Sequence, residues 1–268
     1  MNVDFLYVSC NKEQTRFDLQ DKVLENIRKE LPQEVVKRFT CVDNASTIVG
    51  TPAQLKSTFD YVVQLDQNYG LWSAINWWLQ NTTSNSEFCY IVESDMFHYD
   101  FDKFFKLLDC LEANSDIGAA RCQEYSYVNR HLYDKHKPIE GSVKYAWQTH
   151  KNRVTSEKIL HESIDAKNEI YSSNFLTQLP AINRKSELKR IFDILSTKRR
   201  VDEFEFQKLY FDSYKKTCYI EGGIYNCPNN LDNVTMNGSW ESESKIKQIG
   251  YRTTRIDKIE KVESHILL

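Results

Sequence analysis

Two carboxylates follow a short apolar run in the first half of the chain, and their type and spacing suggest metal chemistry. The run from Phe88 to Val92 is too short for a buried helix, and it leads directly into Glu93, Ser94 and Asp95. In extended backbone, residues two apart project to the same side, so Glu93 and Asp95 can share one cation. Such oxygen ligands suit Mg²⁺ or Mn²⁺, which complete their coordination with water and substrate phosphates. The alternative interpretation is a carboxylate that caps a following helix.

A second group of carboxylates lies about a hundred residues later, at Asp202, Glu203 and Glu205. The apolar residues Phe206 and Leu209 follow at helical spacing, which predicts that these carboxylates stand at the start of a helix. A structural role follows from this placement, because the helix dipole favours negative charge near a helix N-terminus.

The elements that must position these residues alternate between strands and helices through residue 122. Strands are predicted at 3–10, 35–42, 61–65, 88–92 and 117–122, and helices at about 23–31, 71–79 and 101–111. This alternation predicts an α/β fold with a mostly parallel central sheet and helices on both faces. Ligands of such sheets bind beyond the carboxyl ends of the strands, where Asn11, Asp43, Asn68 and the Glu93/Asp95 pair fall.

The second half of the chain has a weaker pattern. Residues 129–174 are polar without a clear period, which predicts a long irregular loop with a functional role. Its histidines, at 131, 136, 150 and 161, do not share a helix face, and we expect them at the surface. We expect a strand at 175–182, a helix through Leu188 and Leu195, a strand at 217–220 that Gly222 and Gly223 end, a loop at 229–240 and a charged C-terminal segment.

Composition excludes several classes of function. The 268 residues carry a formal net charge of −3 with 41% hydrophobic residues, which favours one large domain and no binding of nucleic acid. The basic cluster at 198–200 is most simply a solvated face. The first residues lack a secretion signal and no later apolar run is long enough to span a membrane, so a cytoplasmic protein is expected.

The sequence also lacks the common cofactor motifs. Its seven cysteines are scattered without a CxxC pair, which predicts reduced thiols in place of a disulfide framework or a zinc site. Neither GxGxxG nor GxxxxGK[ST] occurs, so a dinucleotide-binding dehydrogenase and a P-loop enzyme are not supported.

Three segments taken in order resemble family 2 glycosyltransferases of the GT-A fold. They are the VDNAS turn at 42–46, the NYGLWSAIN helix start at 68–76 and the YIVESD strand end at 90–95. The later Asp202-Glu203-Phe204-Glu205 segment is similar to the acidic dyad of that family, so the resemblance covers about residues 1–220. It implies a single GT-A (Rossmann-like) domain, with a nucleotide-sugar half at 1–125 and an acceptor and catalytic-base half at 126–268.

The resemblance also implies roles for individual residues. Ser9, Cys10 and Asn11 would line the pocket for base and ribose, and Asp43 would bind the base, commonly uracil. Asn68 and Gly70 would let the phosphates approach a helix N-terminus. Asp95 would bind Mn²⁺ or Mg²⁺ directly, and Glu93, beside Ser94, would contact the ribose or a metal-bound water. Glu203, with Asp202 or Glu205 as alternatives, would be the general base.

These roles imply an inverting, metal-dependent transfer of sugar from a nucleotide sugar, most simply a UDP-sugar, to a carbohydrate or other hydroxyl-bearing acceptor. Two departures from the family pattern bear on this: Glu93 stands where an Asp is usual, and the dyad is Asp-Glu where Glu-Asp is commoner. A retaining transferase on the same scaffold and a non-catalytic protein that binds nucleotide sugars or carbohydrates are the alternatives. A sugar-phosphate nucleotidylyltransferase is disfavoured because its glycine-rich loop is absent after the first strand.

Overall fold

The computed structural model describes residues 2–31, 35–94, 96–98, 100–123, 161–173, 181–198, 203–226, 256–259 and 262–267. The strands in these ranges are β1 (Val3–Ser9), β2 (Val36–Asp43), β3 (Tyr61–Leu65), β4 (Phe88–Glu93), β5 (Met96–His98), β6 (Ile117–Gln123), β7 (His161–Asp165), β8 (Ile170–Ser173), β9 (Ala181–Arg184), β10 (Lys216–Glu221), β11 (Ile224–Asn226) and β12 (Val262–Leu267). The helices are α1 (Gln14–Glu30), α2 (Thr51–Lys56), α3 (Leu71–Asn81), α4 (Phe101–Ala113), α5 (Lys185–Ser196) and α6 (Glu203–Phe211).

The chain forms two compact units that interleave along the sequence. The first contains residues 1–96, 182–202 and 253–268, and the second contains residues 97–181 and 203–252. The sequence predicts that residues 1–125 bind the nucleotide sugar and that residues 126–268 bind the acceptor and supply the catalytic base. The two compact units do not test that assignment, which stays a prediction.

The sheet of the first unit reverses its direction of growth at β1. Its strand order is β12-β3-β2-β1-β4-β9. The pairs β1–β2, β2–β3 and β1–β4 are parallel, whereas β12 runs antiparallel to β3. The chain therefore adds β2 and β3 on one side of β1 and then places β4 on the other side. Such a reversal creates a crevice at the carboxyl ends of the two diverging strands, where α/β proteins bind ligands.

The apolar runs of the first unit form its core. All seven residues of β1 are buried, as expected of a central parallel strand that is covered on both faces. The ring of Phe39 lies 4.6 Å from Phe5 and 4.7 Å from Phe59, measured between centroids. On α3, Trp72 packs against Phe192 of α5 at 5.7 Å. These contacts hold the strand ends in fixed positions.

A buried ion pair joins the start of β1 to the start of α5. Lys185 Nζ lies 2.6 Å from Asp4 Oδ2 and also donates to the Ser84 carbonyl at 2.8 Å. Ser86 Oγ donates to the other carboxylate oxygen of Asp4 at 2.9 Å. Because each charge is hydrogen-bonded as well as paired, its burial is compensated. The pair lies at the amino end of the parallel strands, opposite the crevice.

The second unit contains its own four strands in the order β6-β10-β8-β7. Strand β10 is parallel to β6 and antiparallel to β8, and β7 and β8 form an antiparallel pair. The buried Tyr210 hydroxyl accepts from Gly118 N at 2.9 Å and donates to the Lys216 carbonyl at 2.7 Å, which joins α6 to this sheet. A separate two-stranded sheet pairs β5 with β11.

Most predicted elements are confirmed and one prediction is wrong, while α2, β5, β11 and β12 were not predicted. The irregular loop predicted at 129–174 contains the strands β7 and β8, which pair with each other across a short turn. The charged C-terminal segment, for which no element was predicted, forms β12 on the edge of the sheet. Residues 124–160, 174–180 and 229–240 lie outside the described residues, and so do the predictions that fall on them. None of the helices in the described ranges has the length and apolarity to cross a membrane.

Candidate functional site

The predicted site residues of the first unit gather at the carboxyl edge of its parallel strands. Ser9 at the end of β1 pairs in register with Asp43 at the end of β2, and Val8 pairs with Glu93 at the end of β4. Neighbouring strands lie about 4.8 Å apart. Strand register alone therefore places Ser9, Asp43 and Glu93, which are widely separated in the sequence, on the same edge of the sheet.

Asp43 is fully buried at the end of β2, and only one of its carboxylate oxygens is well bonded. Oδ1 accepts hydrogen bonds from the hydroxyl and the backbone N–H of Ser46, whereas Oδ2 makes no hydrogen bond of good geometry. Burial raises the pKa of the Asp43 carboxyl, and the hydrogen bonds from Ser46, with a weaker contribution from Gln64, oppose that shift. Ala45, inside this turn, has a φ of 61°, a backbone conformation that is uncommon for a residue other than glycine. The turn thus holds a buried acceptor at the crevice.

Asn11 follows β1 and has a buried side chain whose amide is unsatisfied. Its Nδ2 and Oδ1 atoms are both buried and make no hydrogen bond. Its backbone is fixed, because Asn11 N donates to Ser46 Oγ at 2.6 Å and the Asn11 carbonyl accepts from Thr47 N at 2.9 Å. A buried polar group without a partner costs about 1–3 kcal/mol. The fold therefore leaves the amide nitrogen and the amide oxygen of Asn11 without hydrogen-bond partners at this cost.

Ser9 has a supporting role in this structure. Its fully buried hydroxyl donates to Gln20 Oε1 at 2.6 Å, and Gln20 Nε2 donates in turn to Gln54 Oε1 at 2.7 Å. Gln54 also donates to Asp21 at 3.2 Å. This chain of hydrogen bonds ties the end of β1 to α1 and α2, so the Ser9 side chain fixes the strand end.

Cys10 and Asn68 join the end of β1 to the turn before α3. Asn68 Nδ2 lies 3.4 Å from Cys10 Sγ, and Asn68 Oδ1 accepts from Gly70 N at 2.8 Å. Burial raises the pKa of the half-buried Cys10 thiol, while Lys12 lowers it and Asp43 raises it to smaller extents. Asn44 adds a second link, since its Oδ1 accepts from Tyr69 N at 2.9 Å. The predicted residues 10, 68 and 70 are thus brought together.

Gly70 opens α3 in a conformation that requires glycine. Its φ of 83° and ψ of 162° lie in a region essentially restricted to glycine, and a Cβ built there would meet nothing within 4 Å. The first turn of α3 has neither a side-chain cap nor an acidic residue. The N-terminus of α3 and its helix dipole therefore favour an anion that approaches over the open face of Gly70.

The predicted metal ligands are described only in part. Glu93 and Ser94 are half-buried at the end of β4, and the Ser94 carbonyl accepts from the Tyr7 hydroxyl at 3.4 Å. Asp95 lies outside the described residues. Within the described ranges no three His, Cys, Asp or Glu residues gather into a metal cluster. Mg²⁺ and Mn²⁺ do not need one, because substrate phosphates and water supply most of their ligands, and carboxylate oxygen is the donor they prefer.

The carboxylates proposed as the general base are also described in part. Glu203 is the first residue of α6, as predicted, but its side chain and the whole of Asp202 lie outside the description. Glu205 is half-buried on the same helix. The choice among the three carboxylates stays a prediction.

The supporting residues Gln20, Asn44, Ser46 and Gln54 were missed from the sequence. Gln20 could have been found, because it falls on the apolar face of α1 with Val23, Leu24 and Ile27, where a polar side chain must have a buried partner. The roles of Asn44 and Ser46 depend on contacts with Tyr69 and Asn11, 25 and 35 residues away along the chain, which no local pattern reveals.

Comparison with known proteins establishes the fold. The sequence matches no protein-family model and no curated protein. Among solved structures, GalNAc-T7 crystallised with UDP, GalNAc and Mn²⁺ superimposes with a TM-score of 0.57 at 9% identity, over 86% of this chain and 45% of that one. A mycobacterial protein gives 0.50 at 12% identity, over 87% and 70%. TarS 1–349 from S. aureus gives 0.49 at 13% identity, over 83% and 58%.

The chain spans about half the length of the GalNAc-T7 and TarS structures that it matches. The likeness to GalNAc-T7 concerns the arrangement of strands and helices. Together with the sheet order it confirms the predicted α/β fold class, a GT-A (Rossmann-like) fold with a mostly parallel sheet.

Proposed function

We propose that this protein is a metal-dependent glycosyltransferase that moves a sugar from a UDP-sugar to an acceptor hydroxyl with inversion. The observation that carries the proposal is the pair of unsatisfied buried groups at the crevice, the Asn11 amide and Asp43 Oδ2. Buried polar atoms in proteins are almost always hydrogen-bonded, so a ligand that satisfies both would recover the cost of leaving them unpaired.

The available hydrogen-bonding groups match a uracil ring. Asn11 offers one donor and one acceptor, and Asp43 Oδ2 offers a second acceptor. The edge of uracil presents an N–H flanked by two carbonyl oxygens. A carboxylate would accept from the ring N–H while the Asn11 amide donates to a carbonyl. A guanine edge carries an amino donor where uracil carries its second carbonyl oxygen, so the two bases differ at one of the three positions.

The diphosphate of the donor would bind at the N-terminus of α3. Gly70 leaves room for close approach, and the uncapped N–H groups of the first turn favour negative charge. Glu93 and Asp95 would hold Mn²⁺ or Mg²⁺, and the bound ion would neutralise the charge that develops on the leaving diphosphate. GalNAc-T7, whose fold the chain shares, was crystallised with the same classes of ligand, namely UDP and Mn²⁺.

A carboxylate of α6 would act on the acceptor. A hydroxyl is a weak nucleophile at neutral pH, and a positioned base that removes its proton contributes about 100- to 10,000-fold to the rate. Glu203 would be that base, with Asp202 or Glu205 as alternatives. Direct attack on the anomeric carbon, opposite the leaving diphosphate, inverts its configuration.

A thermal melt with nucleotides and Mn²⁺ tests the donor site. We expect UDP with Mn²⁺ to raise Tm, because a ligand that binds only the folded state stabilises it by mass action. GDP should raise Tm less than UDP, and Asp95→Ala should remove the dependence on Mn²⁺. An equal Tm across UDP, GDP and buffer would overturn the proposal.

Product analysis then tests the reaction. A panel of UDP-sugars is scored for hydrolysis and transfer, and the anomer of the product is read by NMR. An inverted anomer supports the proposal, whereas a retained anomer indicates a retaining transferase. Binding of UDP without turnover of any donor indicates a non-catalytic protein that binds nucleotide sugars.

A further inference from the structure

Lys12 is an exposed cation that directly follows the buried Asn11 at the end of β1. Backbone hydrogen bonds fix the residues on both sides of it. The Asn11 carbonyl accepts from Thr47 N at 2.9 Å. The Glu13 carbonyl accepts from Arg16 N at 3.1 Å, at the start of α1. The backbone of Lys12 is therefore held between the end of the strand and the beginning of the helix.

The charge of Lys12 acts on the opening of the donor site. Burial raises the pKa of the half-buried Cys10 thiol, and Lys12 is the strongest influence in the opposite direction, ahead of Arg16. Cys10 Sγ lies 3.4 Å from Asn68 Nδ2, and Asn68 Oδ1 accepts from Gly70 N at 2.8 Å. The ammonium group of Lys12 is therefore near the contacts that link the end of β1 to the turn before α3.

Lys12 has no anionic partner among the residues that the structure describes. Cys10 does not provide a negative charge, because its raised pKa keeps the thiol protonated at neutral pH. An exposed lysine is well hydrated, so the lack of a partner does not by itself indicate a ligand. The independent indication is the Asn11 side chain one residue earlier, which is fully buried and whose amide is unsatisfied.

A phosphorylated ligand needs positive charge at this edge of the sheet. A phosphate monoester carries about −1.5 to −2 charges at pH 7, and β4 ends on the same edge with the carboxylate Glu93. A base bound at Asn11 and Asp43 limits where the first phosphate can lie, because a single ribose separates the two groups. Lysine binds phosphate as a point charge, and Lys12 follows Asn11 directly.

We infer that Lys12 binds the phosphate nearest the ribose and thereby makes the site select uridine nucleotides over uridine. This inference rests on the proposed function, since it requires that the base occupy the crevice at Asn11 and Asp43. It assigns to Lys12 a contribution to nucleotide affinity that is separate from that of the metal ion. Binding of a monophosphate without metal therefore isolates that contribution.

Calorimetry with uridine, UMP and UDP in the absence of metal tests the inference. We expect the unmodified protein to bind UMP more tightly than uridine. Lys12→Met should weaken binding of UMP and UDP by about tenfold, which corresponds to about 1.4 kcal/mol, and should leave the affinity for uridine unchanged. Lys12→Arg keeps the positive charge and should retain the preference for UMP. Raising NaCl from about 0.05 to 0.5 M should weaken UMP binding more in the unmodified protein than in Lys12→Met.

Lys29→Met is the matched control. It removes the same charge from an exposed side chain near the other end of α1, where the ion pair with Glu30 is also exposed. This variant should bind all three ligands as the unmodified protein does. The urea midpoint of Lys12→Met should equal that of the unmodified protein, because the side chain is exposed and unpaired.

Equal weakening of uridine and UMP in Lys12→Met would overturn the inference, because a disturbed loop after β1 would then be the cause. An unchanged affinity of Lys12→Met for UMP would overturn it as well. Both outcomes leave the proposed function intact. If the unmodified protein binds neither uridine, UMP nor UDP, and UDP with Mn²⁺ also fails to raise Tm, the proposed function is overturned together with the inference.

Discussion

Asn11 and Asp43 lie on opposite sides of one hydroxyl group. Ser46 Oγ accepts a hydrogen bond from Asn11 N at 2.6 Å and donates its own proton to Asp43 Oδ1. The loop after β1 and the turn after β2 are therefore held in one arrangement by Ser46. The same residue thus positions both Asn11 and Asp43, whose side chains carry unsatisfied polar atoms.

Replacing Ser46 should damage both stability and nucleotide binding. In Ser46→Ala, the Asn11 N–H and Asp43 Oδ1 each lose a partner, at a cost of about 1–3 kcal/mol for each buried group that stays unsatisfied. Urea unfolding measures the loss of stability, and calorimetry measures UDP affinity. Thr47→Ala is the control, because the side chain of Thr47 is exposed and only its backbone N–H contributes to the loop. Equal stability of the two variants would contradict the bridging role of Ser46.

The raised pKa of Asp43 predicts a pH-dependent difference between the protein and Asp43→Asn. Burial favours the neutral carboxyl, so this contribution to stability is fully present below the ordinary pKa of 3.8 and is lost as pH rises through the raised folded pKa. The amide of the variant does not titrate. The stability of Asp43→Asn relative to the parent should therefore increase with pH across that window and then level off.

Urea unfolding at intervals from about pH 4 to 8 measures this difference, and the other titrating groups cancel because both proteins contain them. A difference that is constant with pH, or one that falls as pH rises, would show that Asp43 keeps an ordinary or lowered pKa in the folded protein.

Gly70→Ala should destabilise the protein without any steric clash. A Cβ at this position meets nothing within 4 Å, so the cost comes from the glycine-only backbone conformation and should be about 1–3 kcal/mol. Gly118→Ala is an informative contrast, since its Cβ would lie 2.6 Å from the Tyr214 ring. Removing that ring with Tyr214→Ala should restore much of the stability lost in Gly118→Ala. Truncating a side chain near Gly70 should not restore the stability lost in Gly70→Ala. Thermal unfolding of the single and double variants distinguishes the two mechanisms.

Replacing only one partner of the Asp4–Lys185 ion pair should strongly destabilise the protein. Lys185→Met leaves the fully buried Asp4 carboxylate without its cation, at a cost of about 3–5 kcal/mol. The double variant Asp4→Leu with Lys185→Met should recover much of this loss, because no charge then stays buried. The exposed pair Lys216–Glu162 is the control, and Lys216→Met should cost no more than about 1 kcal/mol. Denaturant unfolding measures the stability of all three variants. If the double variant is as unstable as Lys185→Met, loss of packing and not the unpaired charge is the cause.

Carboxylate variants of α6 should separate catalysis from nucleotide binding. Glu203→Gln keeps the size of the side chain and should lower transfer by about 100- to 10,000-fold while UDP affinity stays the same. Glu205→Gln should have a small effect if Glu203 is the base. Initial rates and calorimetry on both variants make the assignment. If Glu205→Gln shows the large loss of rate and Glu203→Gln does not, the roles are exchanged.

The sequence by itself determined the elements whose signal is local. The apolar runs of β1 and β4, the periodic face of α1 and the glycine at the start of α3 each follow from backbone geometry and side-chain burial within one element. Because parallel strands end at one edge of a sheet, the gathering of residues 11, 43, 68 and 93 could also be predicted before any contact was known.

Only the tertiary structure decided how those residues are used. The Asn11 amide is left unsatisfied, Ser9 is bonded to Gln20, and Lys185 pairs with Asp4 from 181 positions away. Strands β8 and β12 likewise pair with strands distant in the sequence, and neither shows a regular apolar alternation of its own. Long-range pairing contributes free energy that no short window of sequence contains, so these features follow from the folded arrangement.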